Sequence, residues 1–286
     1  MRIIFLKYKI GVKTKSLVSM KISFFCIIFI LPYLANCQTK VDTSQAKTKT
    51  LVWSDEFNYK GLPDSTKWGF EKGFVRNKEP QYYTKGRLEN ARVAGGNLII
   101  TVIKEDYNGG KYTSASINTK GKYDFTYGRI EVRAKLPIGR GVWPAIWMLG
   151  QNRDQVGWPA CGEIDIMEYV GHEPNTIQAN VHTLDYNHTK GTGRKGRLTF
   201  EKPYEDFHIY AVEWYPDRMD FYFDNNMFFS CKNKGEGIGE WPFTAPQYLI
   251  LNLALKNKWP AGQPGLDDSV FPQEFLVDYV RVYEIK

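Results

Sequence analysis

GVWPAIWMLG, residues 141–150, alternates with a period of two: Val142, Ile146 and Met148 share one face, while Trp143, Ala145 and Trp147 share the other. This is the pattern of a β-strand. The aliphatic face suits a core between two sheets, which leaves the tryptophan face either to stack on a flat ligand or to join the core as well. Outward from here, NLIITVIKE (97–105), YGRIEVRAKLP (127–137), GEIDIMEYV (162–170) and TIQANVHTL (176–184) read as further strands. So do FHIYAVEWY (207–215), RMDFYFD (218–224), QYLILNLAL (247–255) and EFLVDYVRVYE (274–284). Pro216-Asp217 and Asn225-Asn226 supply tight turns between neighbours. Long helical periodicity is absent, and the chain is therefore predicted to be all-β, a sandwich of two antiparallel sheets.

The same bookkeeping sorts the polar side chains. In 127–137, Arg129, Glu131 and Arg133 oppose Ile130, Val132 and Ala134, and in 176–184 Asn180 and His182 share a face. Such faces are either solvated outer surfaces or walls of a cleft. In GEIDIMEYV, Ile164 and Ile166 point into the core, so Glu163 and Asp165 point out, and strict alternation would drive Glu168 inward. An unpaired buried carboxylate is costly. A β-bulge at Ile166-Met167 supplies one extra residue and turns Glu168 out to join the other two. Two carboxylates facing one ligand are what glycosidic cleavage needs, as a proton donor and a nucleophile or base. A cluster of this kind also suits a hard cation or a solvated acidic edge. Three like charges on one strand cannot all ionise easily, so at least one is expected to hold its proton to unusually high pH.

The motifs around that cluster separate these alternatives. WSDEF (53–57), EPQYYT (79–84), YGRIEVRAKLP (127–137), WPAIWMLG (143–150), WPACGEIDIMEYVG (158–171), FHIYAVEWYPDRMDFYFD (207–224) and VDYVRVYE (277–284) follow one another over residues 51–286. In this order they resemble glycoside hydrolase family sixteen, specifically its laminarinase and mixed-linkage glucanase branch, whose signature is E-I-D-I-M-E. The resemblance implies a β-jelly-roll with a substrate cleft on its concave sheet. It implies an endo-β-glucanase that cuts β-1,3 or mixed β-1,3/1,4 linkages by a retaining double displacement. Glu163 would be the nucleophile, Glu168 the acid and then the base, and Asp165 a residue that orients and tunes them.

The resemblance also nominates Asn77, Glu131, Arg133, Trp143, Trp147, Trp158, Asn180 and His182 as residues lining the cleft, with Trp158 stacked on a sugar near the cut. It implies no cofactor for catalysis, and a structural calcium held by Glu56, the carbonyl of Gly96 and Asp278. Zinc is not expected, because His172, His182, His188 and His208 match no standard ligand spacing. NLALKNKWPAG (252–262) departs from the family pattern, with Lys256, Asn257 and Lys258 in place of glycines. HTLDYNHTKGTGRKG (182–196) resembles bacterial β-1,3- and mixed-linkage glucanases, whereas other members of the family attack agars and carrageenans. Transglycosylation would use the same intermediate, and a non-catalytic glucan-binding protein on this fold would lack the carboxylates.

The chain's start reads as an address. Residues 22–35, ISFFCIIFILPYLA, follow Lys21 and the basic stretch 7–15 and precede Ala35-Asn36-Cys37, as in a secretory signal spanning 1–37. Met20 is an equally good start. LANC (34–37) resembles a lipoprotein box that would acylate Cys37, the alternative being a released protein beginning at Gln38. The expected location is extracellular or on the outer surface of a bacterium. Residues 38–50 are polar and read as a flexible leader to one catalytic domain, 51–286. Residues 1–37 hold six of the 38 basic residues and none of the 31 acidic ones, leaving 32 against 31. A near-neutral remainder argues against a nucleic-acid partner, and a monomer acting on polysaccharide is expected. Past the signal only Cys161 and Cys231 remain; one disulfide is allowed, and two buried thiols are the simpler expectation.

Overall fold

The computed structural model describes residues 48–256 and 264–286. The expected signal, Cys37, Asn257 and Lys258 lie outside the described residues. The first strands are β1 (Lys49–Asp55), β2 (Gly69–Phe70), β3 (Gln81–Tyr83), β4 (Ala91–Ala94), β5 (Asn97–Tyr107) and β6 (Gly110–Ser114). There follow β7 (Ser116–Asn118), β8 (Gly128–Lys135), β9 (Val142–Gly150), β10 (Glu163–Tyr169), β11 (Thr176–His182) and β12 (Arg194–Thr199). The last are β13 (His208–Trp214), β14 (Arg218–Phe223), β15 (Asn226–Lys232), β16 (Gln247–Leu255) and β17 (Gln273–Ile285).

These strands form a sandwich. One sheet has seven strands in the order β12-β11-β10-β9-β16-β7-β2. The other has ten, with the path β15-β14-β13-β8-β17-β5-β6-β3 and with β1 on β17 and β4 on β5. All pairings are antiparallel except the short parallel contact of β3 with β6. Every strand read from the sequence is present; the eight others are mostly short or polar, as sheet edges are. β1 begins at Lys49, two residues inside the stretch expected to be leader.

Period-two alternation builds the core. Val142, Ile146 and Met148 of β9, with Ile164 and Ile166 of β10 and Leu249, Leu251 and Leu253 of β16, face inward from the seven-stranded sheet. They meet Ile130 and Val132 of β8, Val280 and Val282 of β17, and Leu98 and Ile100 of β5. All are buried, at roughly 25 cal/mol per Å² of apolar surface removed from water. The opposite face of the seven-stranded sheet carries a smaller cluster, Ala145, Trp147, Leu149, Tyr248 and Ile250, against which Trp158 packs. That second face is the floor of the site. Cys161 and Cys231 are buried free thiols, not partners in a disulfide.

Candidate active site

β10 lies near the middle of the seven-stranded sheet, hydrogen-bonded to β9 on one side and β11 on the other. Its entry is fixed by Gly162 at φ 76°, where a Cβ would fall 2.7 Å from the Phe243 ring. Only glycine makes that turn. Along β9, Asp165 pairs with Trp147 but Met167, not Ile166, pairs with Ile146, and Glu168 then faces Ala145. Along β11 the register slips at the same place, between Asp165 and Glu168. Two residues oppose one, which is a β-bulge where the alternation required it. Ile166 and Met167 both sink into the core, and Glu168 emerges beside Glu163 and Asp165.

Each carboxylate has a different set of neighbours. Glu163 accepts the Trp158 indole N–H at 2.8 Å, and its other oxygen lies 3.8 Å from His182 Nε2. Asp165 places Oδ2 at 3.4 Å from the same His182 nitrogen, and that oxygen has no hydrogen-bond partner. Glu168 accepts the Trp143 indole N–H at 3.0 Å and the Asn180 amide on its other oxygen. Donor atoms of Glu163, Asp165 and His182 lie within 4.8 Å of one another, so among the described residues this is also a set a divalent ion could bridge.

Burial dominates their titration. Glu163 is pushed up to about 8, first by desolvation and then by the charge of Asp165, against the opposing pull of His182 and the Trp158 N–H. Asp165 is held far above the carboxylate range by burial and then by Glu168. Glu168 is raised by burial, with His182, Trp143, Asn180 and Lys256 opposing. The cluster thus keeps protons near neutrality.

A groove of about 380 Å³ runs over these groups, walled by Trp143, Trp147, Trp158, Arg76, Asn77 and His188. Trp143 is half-buried, whereas Trp147 is 7% exposed, roofed by the Arg76 guanidinium at 4.9 Å and tied through its N–H to Asn252 at 2.7 Å. Flat aromatic walls beside buried carboxylates suit a pyranose chain.

The glycosyl hydrolases family 16 model matches residues 78–281. The chain belongs to family 16. A β-glucanase of Rhodothermus marinus is 46% identical over 266 residues, 89% of this chain and 93% of that protein. The laminarinase structure from the same organism superposes with a TM-score of 0.80 at 46% identity, covering 84% of this chain and 99% of that one. SCLam, a non-specific endo-β-1,3(4)-glucanase of family 16, gives 0.77 at 45%, covering 82% and 91%. The chain is accordingly a glycoside hydrolase.

Against the family 16 cleft, the expected residues divide. Asn77, Trp143, Trp147 and Trp158 line the groove, and Asn180 and His182 reach its carboxylates from β11. Glu131 and Arg133 do not belong to it. Both lie on β8 in the ten-stranded sheet, pointing away from the core, so the sandwich interior separates them from β10. Glu131 is buried against Arg129 at 2.8 Å, and Arg133 pairs with Asp278 at 2.6 Å. The calcium donors sit on that same outer side. Arg281 holds Glu56 at 2.8 and 3.0 Å and Arg133 holds Asp278, while Gly96 is in the β4–β5 turn. With guanidinium groups on both carboxylates, this arrangement does not fit a cation.

Several residues of the family 16 groove were not singled out in the sequence. Arg76 is anchored by Glu71 and covers Trp147. Buried Glu79 accepts from Asn77 at 3.1 Å and Gln81 at 2.7 Å, bracing a loop in which Asn77 and Lys78 both have positive φ. Tyr83 receives the Asn252 amide at 3.0 Å. EPQYYT carried the signal for Glu79, Gln81 and Tyr83, but a short loop-and-strand segment has no alternation long enough to show which side chains turn inward.

Proposed function

We propose that this family 16 enzyme is an endo-β-glucanase that cuts internal β-1,3 or mixed β-1,3/1,4 bonds by a retaining double displacement. Glu163 attacks the anomeric carbon while Glu168 protonates the departing oxygen; Glu168 then takes a proton from the water that releases the sugar. The observation that carries this reading is the bulge, which sets Glu163 and Glu168 on one floor with different N–H donors. Glu163 and Asp165 share a position where two charges are unfavourable, and the donors decide between them. Glu163 has the Trp158 N–H, whereas Asp165 Oδ2 has none, so a negative charge is better supported on Glu163 than on Asp165. The β-1,3 and mixed-linkage assignment follows the relatives, a laminarinase and a β-1,3(4)-glucanase.

The test compares wild type with Glu163→Gln and Glu163→Gly on laminarin and mixed-linkage glucan. Reducing-end release should fall by about 10³-fold or more in both variants while glucan binding persists. Azide, a small external nucleophile, should restore turnover only in the glycine variant, giving a glycosyl azide of inverted configuration. Near-normal turnover in Glu163→Gln would remove the assignment.

A further inference from the structure

A second concavity adjoins the cleft beyond Arg153, at the β7–β2 edge of the seven-stranded sheet. It measures about 670 Å³ and shares Arg153 with the groove, and its Glu71 is the carboxylate that anchors Arg76 on the groove wall. Its floor continues the cleft face of the sheet: Tyr248 of β16, Asn118 of β7 and Gly69 of β2, with Gly69 offering no side chain to obstruct a ligand. Lys85, Lys120, Lys122 and Arg153 line it.

The charges do not cancel. Asp154 holds Lys120 at 2.7 Å, and Glu71 is taken by Arg76. Lys85, Lys122 and Arg153 form no ion pair among the described residues. Residues 38–286 carry 32 basic side chains against 31 acidic ones, so three uncompensated cations in one hollow are a local concentration. Concave walls focus such a field. A neutral sugar hydroxyl gains little from it, because lysine and arginine offer donors and no acceptors, whereas an oxyanion satisfies several at once.

We propose that this basin binds an anionic substituent, a sulfate ester or a carboxylate, on the polysaccharide whose backbone lies in the cleft. The inference rests on the β-glucanase reading of that cleft. The enzyme then favours a decorated glucan over a neutral one, with Lys85 and Lys122 as specificity-determining residues and Arg153 joining basin to cleft.

The experiment measures kcat/KM on laminarin and on lightly sulfated and lightly carboxymethylated laminarin of matched length, at about 20 mM and about 1 M salt. Wild type should use at least one anionic substrate several-fold better than neutral laminarin at low salt, with the advantage gone at high salt. Which derivative is favoured distinguishes sulfate from carboxylate. The Lys85→Glu/Lys122→Glu variant should lose or reverse the preference while cutting neutral laminarin within about twofold of wild type. Equal use of all three substrates, or a preference that survives charge reversal, overturns the proposal. If wild type cuts none of them, the glucanase reading fails separately. Calorimetry of Glu163→Gln with the same polymers then decides the basin: anionic over neutral binding, lost on charge reversal, supports it, and no difference overturns it.

Discussion

Asp165 and Glu163 approach the same His182 nitrogen, at 3.4 and 3.8 Å, yet only Glu163 is given an indole donor. That asymmetry makes Asp165 a tuning group whose charge raises its neighbour. Asp165→Asn removes the like charge, so Glu163 should ionise at lower pH, and the acid limb of the kcat/KM profile should move down by roughly one pH unit. An unmoved acid limb would show that Asp165 does not act on Glu163. The same burial has a cost in stability. Because the Glu163 pKa is raised on folding, its contribution is fully present below the ordinary carboxylate range and is lost as pH climbs towards about 8. Glutamine does not titrate. The melting temperature of Glu163→Gln should therefore gain on wild type as pH rises from 5 to 8, which calorimetry across that interval will read directly.

At the scale of one strand, side-chain parity decides whether the site exists. The bulge sends both Ile166 and Met167 into the core so that Glu168 can emerge. Inserting alanine between Met167 and Glu168 should turn that carboxylate inward if the bulge persists, or carry it two positions further along β9 if the bulge flattens, and in both cases turnover should fall by about 10³-fold or more. Deleting Met167 restores plain alternation and leaves Glu168 on the cleft face. Its penalty should be mainly the emptied core volume, about 2–5 kcal/mol, with measurable activity retained. Urea melts and reducing-end assays on the pair will separate parity from general damage. Parity is also what made β10 legible in the sequence, since two isoleucines and a costly buried glutamate leave few arrangements. It did not reveal the role of Arg76 or Asn252, whose places depend on contacts between segments far apart in the chain. Nor did it foresee β12 and β15, whose edge positions blur the alternation of buried and exposed residues.

For the whole molecule, the two sheets divide the work, and alternation along one strand cannot say which sheet that strand joins. Glu131 and Arg133 show why. Their face of β8 points away from the core as correctly as that of Asn180 and His182 on β11, but β8 pairs with β13 and β17, so its outward face looks away from the cleft. Glu131 instead bonds Arg129 at 2.8 Å under Tyr279 and Tyr283, and Arg129 has a second acid in Glu213 at 3.3 Å. Glu131→Gln should thus destabilise the fold by about 1–3 kcal/mol, less than a fully orphaned buried arginine would cost. Arg133→Ala removes a part-exposed pair with Asp278 and a guanidinium contact on the Phe207 ring at 4.8 Å, and should cost about 1 kcal/mol. Neither should change KM or kcat for laminarin by more than about twofold. A residue that grips substrate gives the opposite pattern, a raised KM with stability intact. Urea midpoints and steady-state kinetics on the two variants will therefore distinguish an outer-sheet brace from a subsite, and a KM rise in Glu131→Gln at unchanged stability would return β8 to the cleft.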